Sequence, residues 1–184
     1  RPDFLEASDQ FQLNIAVSLA IHDFISHFLT NKEVKIKWPN DIYVGDKKIA
    51  GILLQNSLKG KLISSTIVGT GVNINQINFS EDVFNPTSIA LELEEEQDLE
   101  LMFAWLFRFL SKRYLQLKND QIDSLKSEYL DNFFRKGIWS KFSNESEEIW
   151  QGKILGVDES GRLQIEERTG ELKVFNFREV RFVI

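Results

Sequence analysis

Cysteine is missing from all 184 residues. That absence excludes disulfides, thiolate metal sites and a cysteine nucleophile, and it fits a reducing compartment, so a cytoplasmic protein is expected. Concentrated positive charge is missing too. The formal net charge is −6, and pairs such as Lys47-Lys48 do not make the basic face that nucleic-acid binding requires. No apolar run approaches the roughly 20 residues that span a bilayer, and no signal-peptide pattern opens the chain. The Gly-x-x-x-x-Gly-Lys-Ser/Thr loop, the Gly-x-Ser-x-Gly elbow and the His-Glu-x-x-His helix are all absent, so the chemistries they mark gain no support. His22 and His27 lack metal-ligand spacing and read as surface residues, so no metal ligand is assigned.

What is present suits a packed globular chain. Fifteen Phe and four Trp supply large buried surfaces, and 42% apolar against 27% charged residues is an ordinary balance for a folded domain. The opening Arg1-Pro2-Asp3-Phe4-Leu5 reads like the end of an element already under way, so further sequence is expected upstream.

Periodicity gives the elements. Leu13, Val17, Ala20, Phe24 and Phe28 recur at spacings of three and four and predict a helix over 9–29, with Asp9 placed to cap it. Val34, Ile36 and Trp38 then alternate with Lys35 and Lys37, as in a strand with one buried face. Pro39-Asn40-Asp41 interrupts it, Ile42-Tyr43-Val44 resumes, Gly45-Asp46 turns, and 48–55 returns as a second arm. A third strand is expected over 62–72. A short helix follows near 88–93, then amphipathic helices over 98–117 and 120–135, with Leu101 among the apolar positions of the first and Gly137 ending the second. Beyond Trp139 four or five short strands suggest a small barrel. Strands grouped before helices argue for an α+β fold, a mixed β-sheet packed by helices, with domains at 1–137 and 138–184.

Two segments are hard to explain as packing alone. Lys37-Trp38-Pro39-Asn40-Asp41-Ile42 breaks a strand with a proline, which sheets confine to edges, ends and bulges. It gathers cations, an amide and a carboxylate near one end of a hairpin, although solvated turns are often built the same way. In Gly69-Thr70-Gly71-Val72-Asn73, alternation puts Gly69, Gly71 and Asn73 on one face. Two glycines there leave a flat strip where a ligand could touch backbone, or where another element packs closely. Gly51, between Lys48-Ile49-Ala50 and Ile52-Leu53, repeats the device.

Lys-Trp-Pro-Asn-Asp at 37–41, Lys-Ile-Ala-Gly-Ile-Leu at 48–53 and Gly-Thr-Gly-Val-Asn-Ile-Asn at 69–75, in this order and spacing, resemble the biotin–protein ligase family. Pro86-Thr87-Ser88 fits the same pattern, and the stretch from Trp150 to Leu163 is similar to that family's SH3-like end domain. The resemblance implies a class II synthetase-like catalytic domain with a small SH3-like β-barrel after it. It implies ATP-dependent activation of biotin to biotinyl-5′-adenylate, with Mg²⁺, and transfer of biotin to a lysine of a biotin carboxyl carrier protein. On the matching positions it implies catalytic roles for Lys48, Asp41 and Lys37, and substrate contacts from Asn40, Gly51, Ile52, Gly69, Gly71 and Asn73. Lys48 would meet the biotin carboxylate and phosphate bridge. Asp41 would take the proton of the incoming carrier lysine or orient Lys37 and the turn.

The family's Gly- and Arg-rich loop, which lies before its first long helix, is not among these residues, so the chain as given is expected not to complete a tight adenylate site. Lipoate or octanoate transfer on the same fold, and a non-catalytic carrier-binding module, stand as alternatives. Self-association into a homodimer stays open.

Overall fold

The computed structural model describes residues 1–81 and 83–183. The chain divides into two compact units, Arg1–Asn132 and Phe133–Ile184. The division falls five residues before the boundary expected between 137 and 138.

In the first unit a 3-10 turn, Ala7–Asp9, leads into helix α1, Gln10–Phe28. Asp9 makes no side-chain cap, contrary to expectation. The 3-10 turn has already wound the backbone to φ −96° and ψ 8°, outside the extended geometry in which a capping side chain reaches back. Strands β1 (Val34–Lys37), β2 (Asp41–Val44), β3 (Lys47–Lys59) and β4 (Leu62–Val72) follow. They form one sheet in the order β1-β2-β3-β4. Where a mixed sheet was expected, all three pairings are antiparallel, because short turns join each strand to the next.

One face of this sheet carries Ile36, Ile42, Ala50 and Ile52, at most 3% exposed, and packs with α1 into the core. Helix α1 is buried on nearly every side, including Ser18. His22 is drawn in with it: its side chain is only 12% exposed and its Nε2 lies 3.2 Å from the Val34 carbonyl, so it is not the surface residue expected. His27 is exposed and packs on Trp105.

Ser88 caps the short helix α2, Ile89–Leu93, and Asp98 caps α3, Leu99–Lys118. Leu101 is 52% exposed, and α3 buries Met102, Arg113 and Leu117 instead. Helix α4, Ile122–Asp131, stops short of 135, so Phe133 and Gly137 lie beyond it. Arg113 bridges three helices. It grips Asp23 of α1 through two bonds of 2.7 and 3.0 Å and meets Glu128 of α4 at 2.7 Å. Burial alone would raise the Asp23 carboxyl, but hydrogen bonds from His22 and Arg113, with their charges, hold it below its ordinary value.

The second unit is all β, in strands β5 (Trp139–Asn144), β6 (Ile149–Val157), β7 (Leu163–Glu167), β8 (Leu172–Phe175) and β9 (Val180–Val183). They pair antiparallel in the order β8-β7-β6-β5-β9, consistent with the small barrel expected. Phe142, Ile154, Leu163 and Ile165 are fully buried. Trp150 stacks on Phe142 and Phe175 at 5.2 and 5.5 Å. Gly161 and Gly170 take φ of 84° in the turns, a region that favours glycine. Among the described residues no helix is long and apolar enough to cross a membrane.

Candidate functional site

The β1–β2 turn sets one end of the site. Trp38, 4% exposed, precedes Pro39, and the Pro39 carbonyl accepts the Asn14 amide of α1 at 3.1 Å. Asn40 then turns onto β3. Its carbonyl accepts the Ile52 N–H at 2.8 Å and its side-chain amide donates to the Ile52 carbonyl at 2.6 Å. The turn is thereby welded to β3 beside Gly51, and the Asn40 NH₂ is committed to the protein's own backbone.

Strand register builds the rest. Lys37 pairs with Asp41, Asp41 with Gly51 and Gly51 with Gly71, so one row crosses all four strands. Directly opposed residues share a face, and this face lies away from the core. Gly69 joins it opposite Leu53, which is 71% exposed.

Lys48 reaches the same face through an irregularity. Ala50 pairs with Ile42 but Lys48 with Tyr43, so Ile49 is an extra residue on β3. Such a bulge re-aims the side chains that follow it. Ile49 and Ala50 both enter the core, at 0% and 2% exposure, and Lys48 emerges on the side of Asp41. Its Nζ lies 2.6 Å from Asp41 Oδ1. A Cβ on Gly51 would stand 3.5 Å from Asp41 Oδ1 and from Lys48 Cε and Nζ. The ion pair and the glycine therefore adjoin directly.

Lys37 is held by a partner that sequence reasoning missed. Its Nζ donates to the Tyr43 hydroxyl at 2.9 Å. Burial, with Asp41 and Asp46 nearby, pushes the Tyr43 phenol up to about 12. The period-two step from Asp41 to Tyr43 carried that signal.

Two other expected residues lie differently. Ile52 is 3% exposed on the core face, so only its backbone borders the site. Asn73 donates its side-chain amide to the Thr87 carbonyl at 2.9 Å, tying the end of β4 to the segment before α2. Lys48, Asp41, Gly51, Gly69 and Gly71 thus come together on one open face. Lys37 and Asn40 border it, and Asn73 ties the end of β4 next to it.

Residues 5–73, which contain this row, match the Biotin/lipoate A/B protein ligase family. The chain is 28% identical to the Bifunctional ligase/repressor BirA of Escherichia coli over 84% of its own length and 48% of that protein's. It is 27% identical to the BirA of Bacillus subtilis over 90% of its length and 51% of that protein's. The chain is thus similar to biotin–protein ligases, with the family match confined to its first unit. A shorter match, 38% identical over 34% of this chain, is to the Biotin--[acetyl-CoA-carboxylase] ligase of Paracoccus denitrificans. The fold is similar to that of the apo biotin protein ligase of Aquifex aeolicus, which superposes with a TM-score of 0.76 at 24% identity, over 96% of this chain and 76% of that one. The chain spans about half the length of the two BirA relatives.

Proposed function

We propose that this chain carries part of the adenylate-forming site of a biotin–protein ligase acting in the cytoplasm on biotin, ATP and a biotin carboxyl carrier protein. One observation carries the reading: an ammonium, held at 2.6 Å by a carboxylate, stands beside a strip of side-chain-free backbone on an open sheet face. In the first step an oxygen of the biotin carboxylate bonds to the α-phosphorus of ATP, and the bond to the β-phosphate breaks to release pyrophosphate. Both reactants are anionic, so the step needs fixed positive charge where they meet, and Lys48 supplies it. In the second step the carrier's lysine amine attacks the biotinyl carbonyl, the anhydride bond breaks and AMP leaves. Asp41 holds Lys48 and, at 22% side-chain exposure, lies where it could receive the proton the amine sheds.

Gly51, Gly69 and Gly71 would leave room for the ligand's flat face, and Lys37 would add positive charge at the rim. Mg²⁺ accompanying ATP would screen phosphate charge. Its ligands would be the phosphate oxygens and water with at most one or two carboxylates of the chain, and no residue is assigned to it.

The test is biotin-dependent exchange of label between pyrophosphate and ATP, using the natural gene product that contains this chain. Lys48→Ala should lower exchange on the order of 100-fold or more, the loss typical of a removed charge-stabilising donor. An unchanged rate overturns the assignment. Titration with biotin and with lipoate separates the two acyl acids, and tighter binding of lipoate would overturn the choice of biotin.

A further inference from the structure

The bulge that turns Lys48 outward is stabilised from outside the sheet. Strand β4 pairs with β3 only as far as Val72 opposite Ala50. Past that point residues 85–87 take over as the neighbour of β3. The Lys48 N–H donates to the Asn85 carbonyl at 2.9 Å, and the Thr87 N–H donates to the Lys48 carbonyl at 2.8 Å. The extra residue is tied as well, since the Asn73 N–H donates to the Ile49 carbonyl at 2.9 Å.

Behind this segment stands a nearly buried carboxylate. Glu92 of α2, with a side chain 9% exposed, accepts the Thr87 hydroxyl at 2.7 Å. The same carboxylate meets Lys47, the residue before Lys48, at 3.5 Å, and Lys32 at 3.2 Å. It therefore joins the two segments that pair at Lys48. Burial alone would raise the Glu92 carboxyl, but the bonds from Thr87 and Lys32 and the charge of Lys47 hold it below its ordinary value, so it stays ionised as a staple.

We infer that Thr87 and Glu92 are positioning residues for Lys48: by pinning residues 85–87 to the start of β3 they fix the bulge at Ile49 and keep the ammonium on the glycine-lined face. The inference rests on the reading of Lys48 given above. Without the clamp, β3 can revert to strict alternation, which would put Lys48 on the face of Ala50 and Ile52, in the core.

The test has a readout that needs no ligand. Magnetic resonance with labelled lysine Cε, Lys48 being assigned through Lys48→Arg, should show the Lys48 Cε protons close to the Gly51 Hα. Thr87→Val should reduce that contact several-fold and Thr87→Ser should restore it. Glu92→Gln, which keeps an acceptor for the threonine but loses the charge, should also weaken it. In the natural gene product Thr87→Val should slow biotin-dependent pyrophosphate exchange roughly 100-fold, as a misplacement of about 1 Å does, and should add nothing to Lys48→Ala. Retention of the Lys48–Gly51 contact in both Thr87→Val and Glu92→Gln overturns the clamp and leaves the proposed function standing. Loss of the contact in a protein that never binds biotin upholds the clamp and overturns the function.

Discussion

Lys48 and Gly51 are three residues apart on one strand, yet they face the same side of the sheet, because Ile49 is inserted between them as a bulge. In a regular strand an odd spacing separates faces. The bulge is what allows a charged side chain and a bare stretch of backbone to meet, and the first two predictions concern that meeting.

Asp41 should matter through its contact with Lys48 and through the second half-reaction. Asp41→Asn keeps the shape but removes the charge opposite the ammonium. Transfer of biotin from preformed adenylate to a carrier domain should slow more than adenylate synthesis, by roughly 100-fold as for a lost general base. Single-turnover measurement of each step decides it, and equal slowing would leave Asp41 with an orienting role alone.

The glycine strip should be sensitive to bulk without being sensitive in stability. A Cβ at Gly51 meets its neighbours at 3.5 Å, an ordinary contact, and one at Gly71 meets nothing within 4 Å. Gly51→Ala and Gly71→Ala should therefore leave Tm unchanged or raise stability by about 0.4–1 kcal/mol, while biotin affinity falls. Unaltered affinity in both variants would show that the strip does not contact the ligand.

Arg113 should be among the most costly residues to remove in the first unit. Its side chain is 6% exposed and faces two carboxylates, so Arg113→Met leaves Asp23 and Glu128 without their cation. A loss of about 3–5 kcal/mol is expected, read from urea unfolding. A loss below about 1 kcal/mol would mean that water replaces the guanidinium.

The same cluster sets an acid limb. The folded Asp23 carboxyl lies below its ordinary 3.8. A depressed folded value means that the unfolded chain binds the proton more readily. The stabilisation is thus fully present above that ordinary value and is lost as pH falls through the lower folded one. Unfolding free energy followed down from pH 5 should drop across this window, and Asp23→Asn, less stable at neutral pH, should drop less steeply. An identical slope in the variant would remove Asp23 from the account.

In the second unit Gly152 lies where β6 passes beneath two side chains. A Cβ there would collide with Ile165 and would stand 2.7 Å from the Trp150 ring. Gly152→Ala should cost about 1–3 kcal/mol, as overpacking does, and should shift Trp150 fluorescence. Unchanged Tm and spectrum would show that the ring moves aside freely.

Much of the fold could be read from the chain itself, because helix and strand periods are local properties. Leu13, Val17, Ala20 and Phe24 on one side, and Val34, Ile36 and Trp38 on the other, announce α1 and β1 within a residue or two of their ends. The motifs around Lys37, Lys48 and Gly69 likewise marked where chemistry should gather. Three relationships needed the tertiary structure. Alternation places Lys48 with Ala50 and Ile52, and only the pairing of β3 with β2 and with residues 85–87 turns it outward. Asn73 follows two glycines on one face, but only the tertiary structure shows its side-chain amide donating to the Thr87 carbonyl, 14 residues away. Arg113 and Asp23 are 90 residues apart and find each other only when three helices pack. Backbone period and turn chemistry act over a few residues and so are written locally. Which face a bulged strand presents, and which buried charge meets which, depends on the neighbours that packing supplies.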